Sequence, residues 1–311
     1  MEPAPLFTDL AGVPDGGEAV FTTAQDGTRI RAGIWAGGNR TALVFPGRTE
    51  YVERYGHVIE RLLARDFAVV VIDWRGQGLS DRHEGRTDRG YVESFPDYQQ
   101  DIAAVLALPQ VQALNGPRTL FAHSMGGCIA LRALSEGLEV ERAIFSAPMW
   151  GLPHAAKYAP VLNMIDTLGK PLGIDTTIVP GATNEFYVLS APFNGNVLTG
   201  NPEQYARMGD QLRAHPELGL GGATIHWARE AAQEMEKMRT VSLPDIPMQV
   251  FIGSKETVID TESVKSRIPT LPDARLDIIP NGRHELWMET PEIQDRVWQI
   301  TDAFLATKNP A

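Results

Sequence analysis

At residues 121–127 the chain reads FAHSMGG, between a short apolar run that predicts a β-strand and a stretch that predicts an α-helix. A serine hydroxyl is a weak nucleophile, and a tight strand-to-helix turn holds it where a base can reach it. The usual form of this turn is G-x-S-x-G, and Ala122, the smallest alternative, stands at the first glycine. The context predicts Ser124 as a nucleophile. The alternative is a serine that only caps the following helix.

Around this turn, short β-branched runs alternate with longer helical stretches, which is typical of a mostly parallel sheet flanked by helices. The predicted strands are 19–22, 29–35, 41–45, 67–72, 119–122, 140–145, 248–252 and 276–279. The first two are separated by Asp26-Gly27 and predict a hairpin at the edge of the sheet. Residues 51–65 and 97–108 predict helices between the core strands. The sequence therefore predicts the α/β fold class.

The strand–helix rhythm stops between residues 149 and 243, a region richer in Pro, Gly, Asn and Met. Helical spacing returns there at 202–212 and 224–238, and the apolar residues Tyr158, Val161, Leu162 and Ile165 also lie at helical spacing. Because this segment lies between two core strands, we interpret it as a helical cap inserted after the sixth core strand. The predicted organisation is a core of residues 1–148 and 244–311 with a cap of residues 149–243.

The charge balance excludes one class of partner. The net charge is −11 and the pI is about 5.1, whereas nucleic-acid binding needs a concentrated basic face. We therefore expect no nucleic-acid partner. The same charge disfavours adsorption to anionic lipid, although a local apolar patch could still make transient contact with a membrane surface. The N-terminal residues show no signal peptide and no apolar run is long enough to span a bilayer, so we expect a cytoplasmic protein.

Metal and cofactor motifs are missing from the sequence. A single cysteine, Cys128, excludes an internal disulfide and a cysteine-based zinc cluster, and there is no H-E-x-x-H motif. Cys128 is expected to pack as a small apolar side chain in the helix after Ser124. We expect neither a metal nor an organic cofactor.

Several linked motifs outside the serine turn carry a family resemblance. They are DWRGQGLS at 73–80, SAPM at 146–149, NVLT at 196–199, and LGGAT at 220–224 with Trp227. With these motifs the chain resembles the monoacylglycerol lipase and lysophospholipase branch of the α/β-hydrolases, often called serine-aminopeptidase-like, and the motifs in the cap resemble bacterial lysophospholipases. The resemblance covers nearly the whole chain and implies the α/β-hydrolase fold.

That fold implies a catalytic triad in the chain order serine, acid, histidine. His284, which follows the last predicted strand, matches the position of the family's catalytic histidine. The acid has two candidates after the penultimate strand. Glu256 stands where most relatives carry Asp, and Asp260 is the alternative, which would otherwise cap a helix at 261–267. We favour Glu256, because a helix cap accounts for Asp260 fully. His123 lies on the wrong side of the turn to act as the base and is assigned a structural role.

The oxyanion hole is expected to use two backbone NH groups. One is the NH of Met125, directly after the nucleophile. The family carries H-G-x-G in the loop after the 41–45 strand, and here that loop reads PGRT at 46–49. By position, the second donor is the backbone NH of Arg48.

The resemblance implies hydrolysis of acyl esters, of the lysophospholipid or monoacylglycerol type, through an acyl-enzyme. Apolar residues of the cap are candidates for the substrate-binding surface that covers the acyl chain: Trp150, Tyr158, Leu162 and Ile165. Two other functions stay open. An aminopeptidase would need an acidic cap residue for the substrate ammonium, for which Asp166 and Glu185 are candidates. The third function is a non-catalytic binding protein on the same scaffold.

Overall fold

The computed structural model describes residues 2–10 and 12–307, and within these residues nine strands form one sheet. In chain order the strands are β1 (Glu2–Pro3), β2 (Gly17–Thr23), β3 (Arg29–Trp35), β4 (Arg40–Phe45), β5 (Phe67–Asp73), β6 (Arg118–His123), β7 (Arg142–Ser146), β8 (Pro247–Gly253) and β9 (Asp273–Ile279). Their order across the sheet is β1-β2-β3-β5-β4-β6-β7-β8-β9. The first three pairings are antiparallel and all pairings from β5 to β9 are parallel. The predicted mostly parallel sheet is confirmed.

Helices cover both faces of the sheet. In the described residues the α-helices are α1 (Gly56–Leu63), α2 (Tyr98–Leu106), α3 (Pro109–Gln112), α4 (Met125–Ser135), α5 (Ala155–Gly169), α6 (Tyr187–Ser190), α7 (Pro202–Ala214), α8 (Ile225–Met238), α9 (Thr261–Arg267) and α10 (Pro291–Leu305). One core layer lies between the sheet and α2, α4, α8 and α9, and the other includes α1, α7 and α10. On β6, Leu120 and Ala122 belong to the first layer and Phe121 to the second, as the two-residue period of a strand requires.

The strand ends differ from the prediction by a few residues, and one strand was not predicted. The strand expected at 140–145 is Arg142–Ser146, and the one expected at 276–279 begins at Asp273. β1 pairs with β2 but has only two residues, too few to show any periodicity in the sequence. The helix expected at 51–65 is divided into a 3-10 helix at Val52–Tyr55 and α1.

The segment between β7 and β8 contains α5 to α8, and we keep the proposed term cap for residues 149–243. It contacts the core through a backbone β-bridge that pairs Gly90 with Ala223. Arg82 of the core also donates hydrogen bonds to the carbonyls of Gly219 and Glu217, at 2.7 and 2.8 Å. Among the described helices, none has the length and apolar character needed to cross a membrane.

Candidate active site

Ser124 lies between the last residue of β6 and the first residue of α4 with φ 48° and ψ −118°. This positive φ is strained for a residue with a side chain, and such strain is kept where the surrounding structure holds the turn. The Ser124 NH donates to the carbonyl of Ser146 on the neighbouring strand, at 3.1 Å. Two residues later a glycine is required, because a Cβ at Gly126 would lie 2.1 Å from the Phe45 carbonyl oxygen. The serine turn and the end of β4 are therefore in direct contact.

A continuous hydrogen-bond chain joins three of the predicted site residues. The His284 Nε2 lies 2.9 Å from the Ser124 Oγ, and the His284 Nδ1 lies 2.7 Å from a Glu256 carboxylate oxygen. The three residues follow β6, β8 and β9, so the carboxyl edge of the sheet brings them together. With Nδ1–H donated to Glu256, the neutral imidazole has its acceptor nitrogen directed at the serine.

The environment of Glu256 keeps the carboxylate ionised. Burial alone would raise its pKa, but the hydrogen bond and charge of His284 and two backbone donors outweigh burial, so the pKa is lower than usual. Those donors are the NH groups of Val258, at 2.6 Å, and Ile259, at 3.3 Å, both on the carboxylate oxygen that faces away from His284.

Asp260, the alternative acid, has other partners. Its carboxylate accepts from the Glu262 NH at 3.1 Å and from the Ser263 hydroxyl at 2.6 Å, as the N-cap of α9. The structure therefore brings Glu256 to His284 and leaves Asp260 on the helix end.

The loop at 46–49 lies beside the serine turn. Hydrogen bonds from Gln77, in the DWRGQGLS segment, hold this loop in place. The Gln77 side-chain amide donates to the carbonyls of Gly47, at 2.8 Å, and Glu50, at 3.0 Å, and accepts from the Thr49 NH at 3.3 Å. The Arg48 backbone NH makes no hydrogen bond within residues 2–10 and 12–307, and the Met125 NH is the first of α4 and has no partner inside the helix. Both predicted oxyanion donors are therefore available. Gln77 lies in the DWRGQGLS motif that the sequence analysis identified, but the sequence analysis did not predict that Gln77 supports the oxyanion loop.

A buried cluster of charged residues that the sequence analysis missed lies next to this site. Arg54 contacts Glu50 at 3.1 Å and Glu285 at 2.7 Å, and His123 lies 3.4 Å from Glu285. The Glu50 carboxylate also accepts from the backbone NH of Gly47, in the oxyanion loop. Glu50, His123 and Glu285 are close enough together to share a metal ion, but the Arg54 guanidinium already provides a positive charge for the two carboxylates.

The cluster shifts the ionisation of its members. Burial lowers the pKa of His123, but the nearby Glu285 and Glu50 carboxylates outweigh burial and raise it to about 9. The pKa of Glu285 is lowered, since Arg54 and His123 outweigh its burial. His123 is therefore a cation at neutral pH, and its ring centroid lies 4.8 Å from that of His284.

This predicts a specific pH dependence of stability. A histidine whose pKa is raised in the folded state stabilises that state. The stabilisation is complete below the unfolded pKa of about 6.5 and is lost as the pH rises through the folded pKa of about 9. We expect the free energy of unfolding to fall by about 1–3 kcal/mol between pH 6.5 and 9.5, measured by urea denaturation. His123→Gln should flatten that slope and His154→Asn, on the exposed cap surface, should keep it. Equal slopes in the wild type and His123→Gln would contradict the assignment.

A cavity of about 620 Å³ opens at Ser124 and His284. Its lining includes apolar side chains from the cap region, among them Met149, Leu152, Val179, Phe186, Val188 and Leu220. Arg48 and Trp227 also line it. The space beside the serine is thus large enough for a substrate with an extended apolar group.

The four residues predicted for substrate binding do not line this cavity, which corrects that expectation. Trp150 is buried in the core, where its indole NH donates to the Gly127 carbonyl at 3.2 Å. Tyr158 on α5 is 50% exposed, and Leu162 and Ile165 are half-buried. Helical spacing identified an apolar stripe on α5, but spacing does not indicate which surface the stripe faces.

The two acids considered for an aminopeptidase lie in different environments. Asp166 is buried and contacts His226 at 2.7 Å and Arg229 at 3.5 Å. It is close enough to His226 and Asp175 to share a metal ion, away from the cavity. Glu185 lines the cavity.

Comparisons with known proteins agree with the resemblance. Residues 39–291 match the family Hydrolase_4, described as serine aminopeptidase, S33. The chain is 30% identical to lysophospholipase L2 of Escherichia coli (strain K12) over 291 residues, covering 88% of this chain and 82% of the relative. It is 24% identical to the probable lysophospholipase L2 of Haemophilus influenzae over 263 residues, covering 83% of this chain and 81% of the relative.

Among solved structures, a soluble variant of monoglyceride lipase from Saccharomyces cerevisiae, in complex with a substrate analogue, is similar with a TM-score of 0.71. The sequences are 20% identical, and the match covers 97% of this chain and 98% of that one. This likeness confirms the predicted α/β-hydrolase fold.

Proposed function

Because the chain belongs to the serine aminopeptidase S33 family of α/β-hydrolases, we propose that it hydrolyses carboxylic esters of the lysophospholipid or monoacylglycerol type through an acyl-enzyme. The family is one of serine hydrolases, and the relatives make the chain esterase- or lipase-like. The observation that carries the proposal is the hydrogen-bond chain from Ser124 through His284 to Glu256.

In the proposed mechanism, the Ser124 Oγ attacks the ester carbonyl carbon while the His284 Nε2 accepts its proton. The negative charge that develops on the carbonyl oxygen is stabilised by the backbone NH groups of Arg48 and Met125. Glu256 holds the Nδ1–H and stabilises the imidazolium. His284 then protonates the leaving alcohol. Water, activated by the same histidine, attacks the acyl-enzyme and releases the acid.

Two features support an acyl-lipid substrate. The apolar cap residues in the cavity, such as Leu152 and Phe186, offer an acyl chain a surface away from water. The Escherichia coli relative is named lysophospholipase L2 and the Haemophilus influenzae relative probable lysophospholipase L2.

The outer surface of α5 supports transient contact with a lipid surface. Val161, Met164 and Leu168 lie at helical spacing and are 48%, 55% and 70% exposed. Adjacent exposed apolar side chains of this kind mark surfaces that bind proteins or membranes. The proposed substrates are lipids and are themselves found in membranes.

The runner-up is an aminopeptidase, because Glu185 lines the cavity and could bind a substrate ammonium group. The Arg48 guanidinium lines the same cavity and would repel that ammonium. We therefore rank ester hydrolysis first.

A substrate panel tests the proposal. The panel pairs lysophosphatidylcholine, a monoacylglycerol, short p-nitrophenyl esters and an aminoacyl anilide. We expect turnover of both lipids and of the p-nitrophenyl esters, and a rise in lipid turnover above the concentration at which the lipid aggregates, since α5 would then meet a surface. Cleavage confined to the anilide would make the protein a peptidase and overturn the proposal.

A further inference from the structure

The Arg48 side chain is a cation in the candidate active-site cavity that has no carboxylate partner among the residues that the structure describes. Its guanidinium donates one hydrogen bond, from an Nη to the Gly221 carbonyl, at 2.8 Å. Its buried Nε has no hydrogen-bond partner in the described part of the chain. The guanidinium carbon lies 5.3 Å from the centre of the Trp227 ring. A guanidinium has five NH donors, so most of its donor capacity is unused here.

A second arginine of the same cavity, Arg54, differs from Arg48 in having carboxylate partners. Arg54 contacts both Glu50 and Glu285, and these carboxylates outweigh burial and raise its pKa above the usual value. For Arg48, burial is the dominant influence and lowers the pKa to about 10. At neutral pH Arg48 still carries its charge, in a desolvated position with no counter-ion from residues 2–10 or 12–307.

An anion entering the cavity would provide that counter-ion. The planar guanidinium can form two parallel hydrogen bonds to phosphate or carboxylate oxygens, which gives both strength and direction. In the proposed lysophospholipid or monoacylglycerol substrates the fatty acyl chain carries no charge, so an anionic group of the substrate belongs to the alcohol part. The backbone NH of the same residue is the proposed oxyanion donor, so an anion on the guanidinium would lie near the reacting carbonyl.

We propose that the Arg48 side chain binds a phosphate group in the alcohol part of the ester, and so makes the enzyme selective for phosphate-bearing esters over neutral glycerides. The proposal rests on the proposed ester hydrolysis and narrows its substrate class. Phosphate on the guanidinium would place the acyl carbonyl at Ser124 and leave the apolar cap lining for the chain.

The test compares two esters with the same short acyl chain, 1-hexanoylglycerol 3-phosphate and 1-hexanoylglycerol, both as monomers in solution. The measured quantity is the ratio of their kcat/KM values. We expect a ratio above one for the wild type, and a fall of about tenfold or more in Arg48→Met. Arg48→Lys, which keeps the charge and loses the planar fork, should give an intermediate ratio. If the substitution disturbs the oxyanion loop, it lowers kcat/KM for both esters, and this common effect cancels in the ratio.

Arg82→Met is the matched control. Arg82 also donates to backbone carbonyls of the cap, and burial also lowers its pKa, but it does not line the cavity. Its substitution should keep the wild-type ratio. An equal ratio in the wild type and Arg48→Met, or an equal fall in Arg82→Met, would overturn the proposal.

Two further results separate the possible failures. Inorganic phosphate could inhibit hydrolysis of the neutral ester in the wild type but not in Arg48→Met, while the kcat/KM ratio of the two esters stays at one. In that case Arg48 binds free phosphate and the proposal is wrong. If the wild type hydrolyses neither ester, nor any ester of the panel, the proposed function falls as well. Hydrolysis of both esters with a ratio independent of Arg48 would overturn only the selectivity.

Discussion

Replacing Ser124 with alanine is expected to lower kcat for acyl esters by about four orders of magnitude or more, while the protein stays folded. The loss is large because the Oγ is the atom that bonds to the acyl carbon. Without it, the His284 base has no nucleophile to deprotonate, and only the oxyanion donors and substrate binding remain. Removing the hydroxyl leaves the turn intact, since the hydrogen bond that holds it joins the backbones of Ser124 and Ser146, and the Cβ at φ 48° is unchanged.

The measurement is steady-state hydrolysis of a p-nitrophenyl ester, with labelling by a fluorophosphonate probe as an independent readout. Ser146→Ala is the matched control, because the Ser146 hydroxyl is buried one strand away and makes no hydrogen bond within the described part of the chain. The control should retain activity and labelling. Labelling that persists in Ser124→Ala would show that another residue is the nucleophile.

Replacing Glu256 with glutamine is expected to lower kcat by about three to four orders of magnitude. The glutamine amide can present an NH to the His284 Nδ1, which then becomes an acceptor and leaves Nε2 protonated. In that tautomer the imidazole cannot take the proton of Ser124. The stabilisation of the imidazolium by a carboxylate is lost as well.

Asp260→Asn is the matched comparison, since it makes the same chemical change four residues later. Asparagine caps a helix about as well as aspartate, so α9 should be kept and activity should stay within a few-fold of the wild type. Both variants are compared by kcat, with the melting temperature as a check on folding. A large loss in Asp260→Asn with a small loss in Glu256→Gln would reverse the assignment of the acid.

Much of the candidate site could be predicted because its parts are local in the chain. A strand, a small-residue turn and a helix place Ser124, and the positions after the last two core strands place Glu256 and His284. The strands and the turn depend on hydrophobic period and turn geometry, which a few neighbouring residues determine. The catalytic roles of Glu256 and His284 were implied by the family resemblance. The N-cap reading of Asp260 is local in the same way, and its bond to the Glu262 NH agrees with it.

The acyl pocket could not be predicted from local sequence patterns. The spacing of Tyr158, Leu162 and Ile165 predicted a helix correctly, and α5 spans Ala155–Gly169. The prediction that these residues cover the acyl chain is wrong, because they do not line the cavity. An apolar stripe has the same period whether it packs on a core, lines a pocket or faces solvent.

The sequence by itself therefore determined the order of strands and helices, the serine turn and the residues at the carboxyl edge of the sheet, since each follows from propensities within a short window. Only the tertiary structure decided which side chains meet across long stretches of chain. Examples are the support of the oxyanion loop by Gln77, the pairing of Arg54 with Glu285 and, among the described residues, the lack of a carboxylate beside Arg48. Charge pairing and burial depend on three-dimensional distance. Gln77 and Gly47 are 30 positions apart and Arg54 and Glu285 are 231 positions apart, and the folded core brings the members of each pair within 3 Å of each other.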